Sequence, residues 1–471
     1  MKLKLPPPFL YSLISFSFLT ALDGDIYDFF LPNGLKVILM EKHASPKVAV
    51  SVFYNVGSHD EVEGQKGINN IVKGLILEGT EKYSDDELNN MRDEFSMGYG
   101  DRSGRDITYL YSELPRDELE FGLDFESDRM INVTVTDKKI LEVKENFKIR
   151  YDKYHKNGIW VTFNNAMGDI LHEGHPYKSD DWGIWEQIDS LSVKTCNNFL
   201  KQYYAPNNAV LVVVGDIIPG DATKLIYQYF SSIKPAEYIP PDPDFSFDKK
   251  INYETPEYFA ENEWDPMYEH ITSIAFFMPT ARSDDTILLG HLENILILDS
   301  NKYGQLRQKY SKKDRLFFKP YIHDESALGP SSFLFAGLNI FRKGSVKKIK
   351  KALLSTLDFI GKNGVGNDLL TQYKKTELLK SYKKDYNYSS ISNRLGKAEL
   401  INGDYHFYNR RIQLLKELTN EDIKKVVNTY LHENNMYSFT ITVNTAKKTW
   451  YNPFLSFLTN QIVLRFWSPT R

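Results

Sequence analysis

The chain has 471 residues, of which 42% are hydrophobic and 25% charged, a balance that supports neither a disordered nor a membrane-spanning class. At roughly 150 residues per domain the length allows two to four folding units. A net charge of −4, from 58 basic and 62 acidic residues, provides no field that would gather nucleic acid, so no nucleic-acid partner is expected.

In chain order, Lys2 and Lys4 precede an apolar run from Phe9 to Leu22, the charge-then-apolar order of an export signal or anchor over residues 1–24. The run is short for a transmembrane helix, and contact with a membrane through this segment is the expectation it raises. Export to the periplasm or cell envelope follows from the same segment. Pro6 to Pro8 and a poor cleavage site, with only Ala21 and Gly24 as candidates, leave a disordered arm or a mis-assigned start as alternatives. "LPNGLKVILMEKHASPKVAVSVFYNVGS" reads as two strands, the first entered through an Asn33-Gly34 turn. "GINNIVKGLILEGT" (67–80) is a glycine-opened helix with an apolar stripe of Ile68, Ile71, Val72, Leu75 and Ile76. Gly74 inside it costs roughly 1 kcal/mol relative to alanine. That cost suits a backbone freed from another task or crowded by a neighbour. A strand "DITYLYSELP", a helix "LEFGLDFESDRMI" and a long polar helix near 136–154 follow. The single cysteine, Cys196, excludes an internal disulfide and a cysteine zinc cluster, and packing is its expected role.

"LSVKTCNNFLKQYYAPNN" (191–208) repeats as "LTNEDIKKVVNTYLHENN" (418–435) without a gap, matching Ser192 with Thr419, Tyr203 with Tyr430 and Asn207-Asn208 with Asn434-Asn435. In each copy the Ser or Thr caps a helix, and the Asn-Asn turn leads into a β-branched strand. The first of these strands, "AVLVVVGD", is apolar on both faces and reads as central. Pro235, Pro240, Pro241 and Pro243 mark a stiff connector. The resulting division is 25–232, a linker at 233–256, 257–445, and an apolar tail at 446–471 that covers a partner, touches a membrane or packs back on the core. The class is α+β: two homologous halves, each a mostly antiparallel sheet covered by helices.

The motifs "LPNGLKVIL", "VGSHDE", "GINNIVKGLILEGT", "ELPRDELEFGLDFESDRMIN", "HPY" and "YYAPNNAVLVVVGD" resemble the pitrilysin and insulinase family of zinc metalloendopeptidases in its short, processing-peptidase-like form. The resemblance runs over roughly residues 25 to 445. It implies homologous halves that close like a clamshell around a chamber for unfolded peptide, and an H-x-x-E-H zinc motif on a helix of the catalytic half. Residue by residue, that motif falls on Asn70, Lys73 and Gly74. The later ligand position falls on Asn146, with Glu145 beside it, and its supporting acid on Lys139. A hydrolytic zinc site needs about three protein ligands and an open position, so the resemblance implies a lost site, no zinc cofactor and no catalytic residues. The family's peptide-aligning pair on an edge strand corresponds to Gly100 and Asp101, and its carbonyl-gripping pair to Ser311 and Phe318, with Arg307 and Tyr310 nearby.

Two other clusters compete. His172, Glu173 and His175 in "LHEGHPY" do not have the i, i+4 spacing of a zinc helix, and Gly174 and Pro176 favour a turn there. His59 reads as a surface histidine. The expectation is therefore a non-catalytic family member that pairs with an active paralogue and binds unfolded peptide. A stand-alone envelope scaffold, and an active peptidase with ligands drawn from His172, Glu173, His175 or Glu145, are the alternatives.

Overall fold

The computed structural model describes residues 25–84, 98–155, 159–171, 176–178, 181–242, 257–261, 270–298, 303–304, 316–323, 331–339, 346–384 and 387–444. In the N-terminal half the elements run β1 (Ile26–Phe30), β2 (Lys36–Glu41), β3 (Lys47–Tyr54), α1 (Ile68–Leu77), β4 (Gly98–Ser103), β5 (Thr108–Pro115), α2 (Leu119–Ile131), α3 (Asp137–Tyr154), α4 (Ile159–Leu171), α5 (Trp185–Asp189), α6 (Val193–Tyr203), β6 (Ala209–Gly215) and α7 (Pro219–Phe230). The C-terminal half runs β7 (Glu257–Glu261), β8 (His270–Met278), α8 (Asp284–Ile297), β9 (Leu316–His323), β10 (Ser331–Asn339), α9 (Val346–Asn363), α10 (Asn367–Lys384), α11 (Tyr388–Asn402), α12 (Phe407–Glu417), α13 (Asn420–Tyr430) and β11 (Met436–Asn444).

The sheets have the orders β1-β2-β6-β3-β5-β4 and β7-β11-β8-β10-β9. Each has one parallel pair, β2 with β6 and β7 with β11, beside otherwise antiparallel neighbours. Apart from the extra β1 the two topologies superimpose strand for strand, so the halves are homologous in architecture. The fully apolar β6 is central and buried along its whole length, as its sequence requires. Gly34, at φ 89°, makes the turn between β1 and β2.

The repeated Asn-Asn turn has a physical cause in this arrangement. Asn208 Nδ2 donates to Tyr203 O at 2.8 Å and to Asn55 O at 3.0 Å. Its counterpart Asn435 Nδ2 donates to Tyr430 O at 2.7 Å and Phe277 O at 2.9 Å. In both halves one buried amide therefore ties a helix C-terminus to the strand beside it, satisfying carbonyls that would otherwise be orphaned. Ser192 and Thr419 cap α6 and α13 by accepting from Thr195 N and Asp422 N.

The halves exchange helices. α11, from the C-terminal half, packs on β3, β6 and β5 of the first sheet, where Tyr388, Ile391 and Leu395 join Ile38, Met40, Phe53, Val212 and Val214 in one buried cluster. A Cβ on Gly396 would lie 2.3 Å from the Phe53 ring, so only glycine lets the helix come this close. Tyr388 Oη accepts from Ser45 N at 2.8 Å and donates to Lys42 O at 2.9 Å, fixing the start of the helix. Reciprocally, α4 packs on β7 and β11, with Phe163 against Phe439 and Tyr437 Oη reaching Met167 Sδ at 3.9 Å. At about 1.5–3 kcal/mol for each buried large apolar side chain, this shared packing couples the halves strongly.

Candidate functional site

The helix that carries Asn70, Lys73 and Gly74 begins at Gly67, whose φ of 101° requires glycine. No side chain caps α1 in the usual way. Instead the buried carboxylate of Glu61 accepts from Gly67 N at 2.7 Å and Asn69 N at 3.0 Å, meeting the orphan donors of the first turn. Ile68, Ile71, Val72, Leu75 and Ile76 are buried in the N-terminal core. Asn69 is buried as well, accepting from Tyr204 Oη at 2.7 Å and donating to Thr108 Oγ1 at 3.1 Å. Sequence reasoning passed over Asn69; two adjacent asparagines in an apolar helix were the available signal.

Along the other side of α1, Asn70 Nδ2 donates to Asp181 O at 2.6 Å, and Lys73 Nζ donates to Ser103 Oγ at 2.9 Å. Gly74 meets α3: a Cβ there would stand 2.5 Å from Val143 Cγ1. Lys139, Val143 and Asn146 recur at spacings of four and three and share one stripe of α3. The candidate ligand positions on both helices are thus on the sides that meet, but at the crossing point stands a valine methyl. Asn146 and Glu145 are exposed and Lys139 is half-buried. An amide, an ammonium and a glycine do not make a zinc donor set, since zinc takes thiolate, imidazole or carboxylate and a cation repels it. The residues present do not fit the metal. Among the described residues no group of three or more His, Cys, Asp or Glu is arranged to hold one.

Gly100 and Asp101 lie on β4, an edge strand of the first sheet, opposite Tyr111 and Leu110. A Cβ on Gly100 would be 2.9 Å from the Tyr111 hydroxyl, so the ring lies across the glycine. Phe318 lies on β9, an edge strand of the second sheet, opposite Gly337. The two candidate peptide-contacting positions therefore occupy equivalent edges of the two sheets. Ser311, Arg307, Tyr310, His172, Glu173 and His175 fall outside the described residues, as do 1–24, 243–256 and 446–471.

His59 is not a surface histidine. Its side chain is 1% exposed, Nδ1 donates to Arg105 O at 2.6 Å, and the carboxylates of Asp106 and Asp60 lie 3.3 and 3.4 Å from the ring. Tyr177 in turn donates to Asp106. Asp60 is the neighbour in the chain, but Arg105, Asp106 and Tyr177 come from distant segments, which is why the local sequence concealed the burial. Burial opposes charge on the ring, but the Asp106 hydrogen bond and the charges of Asp60 and Asp106 outweigh it and raise its pKa to about 9.

The folded chain thus holds a proton on His59 that the unfolded chain releases near pH 6.5. This stabilisation is complete below about pH 6.5 and is lost as the pH rises through 9. Burial also pushes the Glu61 carboxyl upward, which adds a change of the same sign. The melting temperature is expected to fall between pH 6.5 and 9, and to fall less steeply in His59→Gln. Parallel pH profiles for the two proteins would refute this role.

Two family descriptions match the sequence: "Insulinase (Peptidase family M16)" over residues 36–174 and "Peptidase M16 inactive domain" over residues 190–377, together more than half of the chain. The chain belongs to the insulinase family. A curated insulinase-family relative, the zinc protease PqqE of Helicobacter pylori, is 23% identical over 414 residues, 86% of this chain and 89% of the relative. The probable zinc protease PqqL of Haemophilus influenzae is 26% identical over 44% of this chain, but the match spans only 23% of that protein. Among solved structures, a protease from Helicobacter pylori has a TM-score of 0.77 at 19% identity, covering 89% of this chain and 100% of its own. The periplasmic protease PqqL from Escherichia coli has a TM-score of 0.69 at 15% identity, covering 93% of this chain and 50% of its own. At these identities the structural likeness establishes the fold. The α+β architecture of two homologous halves expected from the sequence is the architecture of these insulinase-family structures.

Proposed function

We propose that this chain is a non-catalytic insulinase-family protein that pairs with an active zinc-peptidase paralogue and helps to hold unfolded peptide. The observation that carries the reading is the crossing of α1 and α3. Where the family motif would place two histidines and a glutamate, Asn70 is spent on the Asp181 carbonyl, Lys73 on Ser103, and Gly74 is covered by Val143. Pairing is supported by relatives that are named as subunits, the mitochondrial-processing peptidase subunit alpha-1 of Dictyostelium discoideum among them, 24% identical over 47% of this chain. Peptide holding is supported by β4, whose outer edge has no strand partner among the described residues and presents backbone groups to which an extended peptide can add. Export is supported by the charge-then-apolar order at residues 1–24 and by the periplasmic description of the Escherichia coli PqqL structure.

The test is zinc content and turnover of unstructured peptides, measured on the purified chain and on material co-purified from its host. A zinc-free, inactive chain recovered with an H-x-x-E-H paralogue supports the proposal. Stoichiometric zinc with chelator-sensitive turnover by the chain alone overturns it, and recovery with envelope components alone favours a scaffold.

A further inference from the structure

The net charge of −4 conceals a strong segregation. The described residues 346–384 and 387–430, which carry helices α9 to α13, hold 17 Lys or Arg against 8 Asp or Glu, so this run of helices is basic within an acidic chain. Fourteen of the 17 are lysines, hydrated point charges suited to a diffuse anionic surface rather than to bidentate recognition.

The outward side of α10 also carries apolar groups that the core does not explain. Its inner face is accounted for: Leu370 and Tyr373 are buried in the C-terminal core, with Leu378 packed against it. On the opposite side Leu379 is 54% exposed and Tyr382 50% exposed, and the exposed Lys375 and Lys383 flank them. The spacing 375, 379, 382, 383 puts all four on one stripe. Lysines beside a leucine and a tyrosine, on a helix that also packs into a folded core, are the composition of a surface that lies on an anionic bilayer: the aromatic and aliphatic tips enter the headgroup boundary while the ammonium groups meet lipid phosphates.

We infer that the outward face of α10 docks on an anionic membrane surface. The site is independent of the α1–α3 crossing and of residues 1–24. The experiment is co-sedimentation of the full chain with vesicles of phosphatidylcholine alone and with vesicles containing phosphatidylglycerol, at low and high salt. Binding to the anionic vesicles at least about tenfold stronger than to the neutral ones, and weakened by salt, is expected. Lys375→Glu/Lys383→Glu should reduce it about tenfold or more, and Leu379→Ser/Tyr382→Ser should weaken it separately. Both doubles alter exposed positions and should keep the parent melting temperature. Equal binding to both vesicle types, or binding unchanged in both doubles, overturns the inference. So does lipid-free self-association that the same substitutions abolish, which would give this face to a second copy of the chain.

Discussion

Arg129→Met is expected to destabilise the protein by about 3–5 kcal/mol in urea unfolding, the usual cost of stranding one member of a buried ion pair. Arg129 and Glu126 are paired on α2 with both side chains fully buried. Glu126 also accepts from Ser112 Oγ at 2.6 Å, and the guanidinium lies over the Phe125 ring at 4.2 Å. Among the described residues, Glu126 Oε2 and the Arg129 Nε and Nη1 groups find no hydrogen-bond partner. The pair is therefore only partly satisfied, and its attraction barely offsets the desolvation of two ions. This asymmetry gives a second expectation. Glu126→Leu combined with Arg129→Met should recover most of the loss, because no charge is then left stranded in the core. A single-variant loss below about 1 kcal/mol, or a double variant as unstable as the single, would refute the account.

Restoring the family motif with Asn70→His, Lys73→Glu and Gly74→His is expected to yield neither stoichiometric zinc nor peptidase activity. The new side chain at position 74 must displace Val143, whose Cγ1 lies 2.5 Å from where its Cβ would be. Overpacking of this kind typically costs about 1–3 kcal/mol. The third ligand position remains Asn146, so two imidazoles and a base would still lack a partner. Adding Val143→Ala should restore stability without restoring metal, and adding Asn146→Glu to that background is the first step at which zinc uptake is expected. Metal analysis with thermal unfolding separates these outcomes. Stoichiometric zinc in the initial triple variant would show that the crossing of α1 and α3 does not exclude the metal.

The sequence by itself determined the elements and their class. An all-apolar "AVLVVVG" had to be a central strand, because only the middle of a covered sheet buries both faces of a strand. The stripe Ile68, Ile71, Val72, Leu75 and Ile76 had to face a core, and the repeat at 191–208 and 418–435 implied two similar halves whose topologies are now seen to match. The motif positions at Asn70, Lys73 and Gly74 were equally legible, being local in one helix. What only the tertiary structure decided is which surfaces meet. Amphipathic periodicity shows that α4 and α11 bury a face, yet it carries no information about which sheet receives it, and each helix crosses to the sheet of the other half. His59 looked solvated because its partners Arg105, Asp106 and Tyr177 come from other segments. The helix-breaking cost of Gly74 admitted two explanations until Val143 was found against it. A sequence pattern records how often a residue is buried along its own element; the identity of the neighbour, which sets charge, close approach and chemistry, arises only when distant segments are brought together.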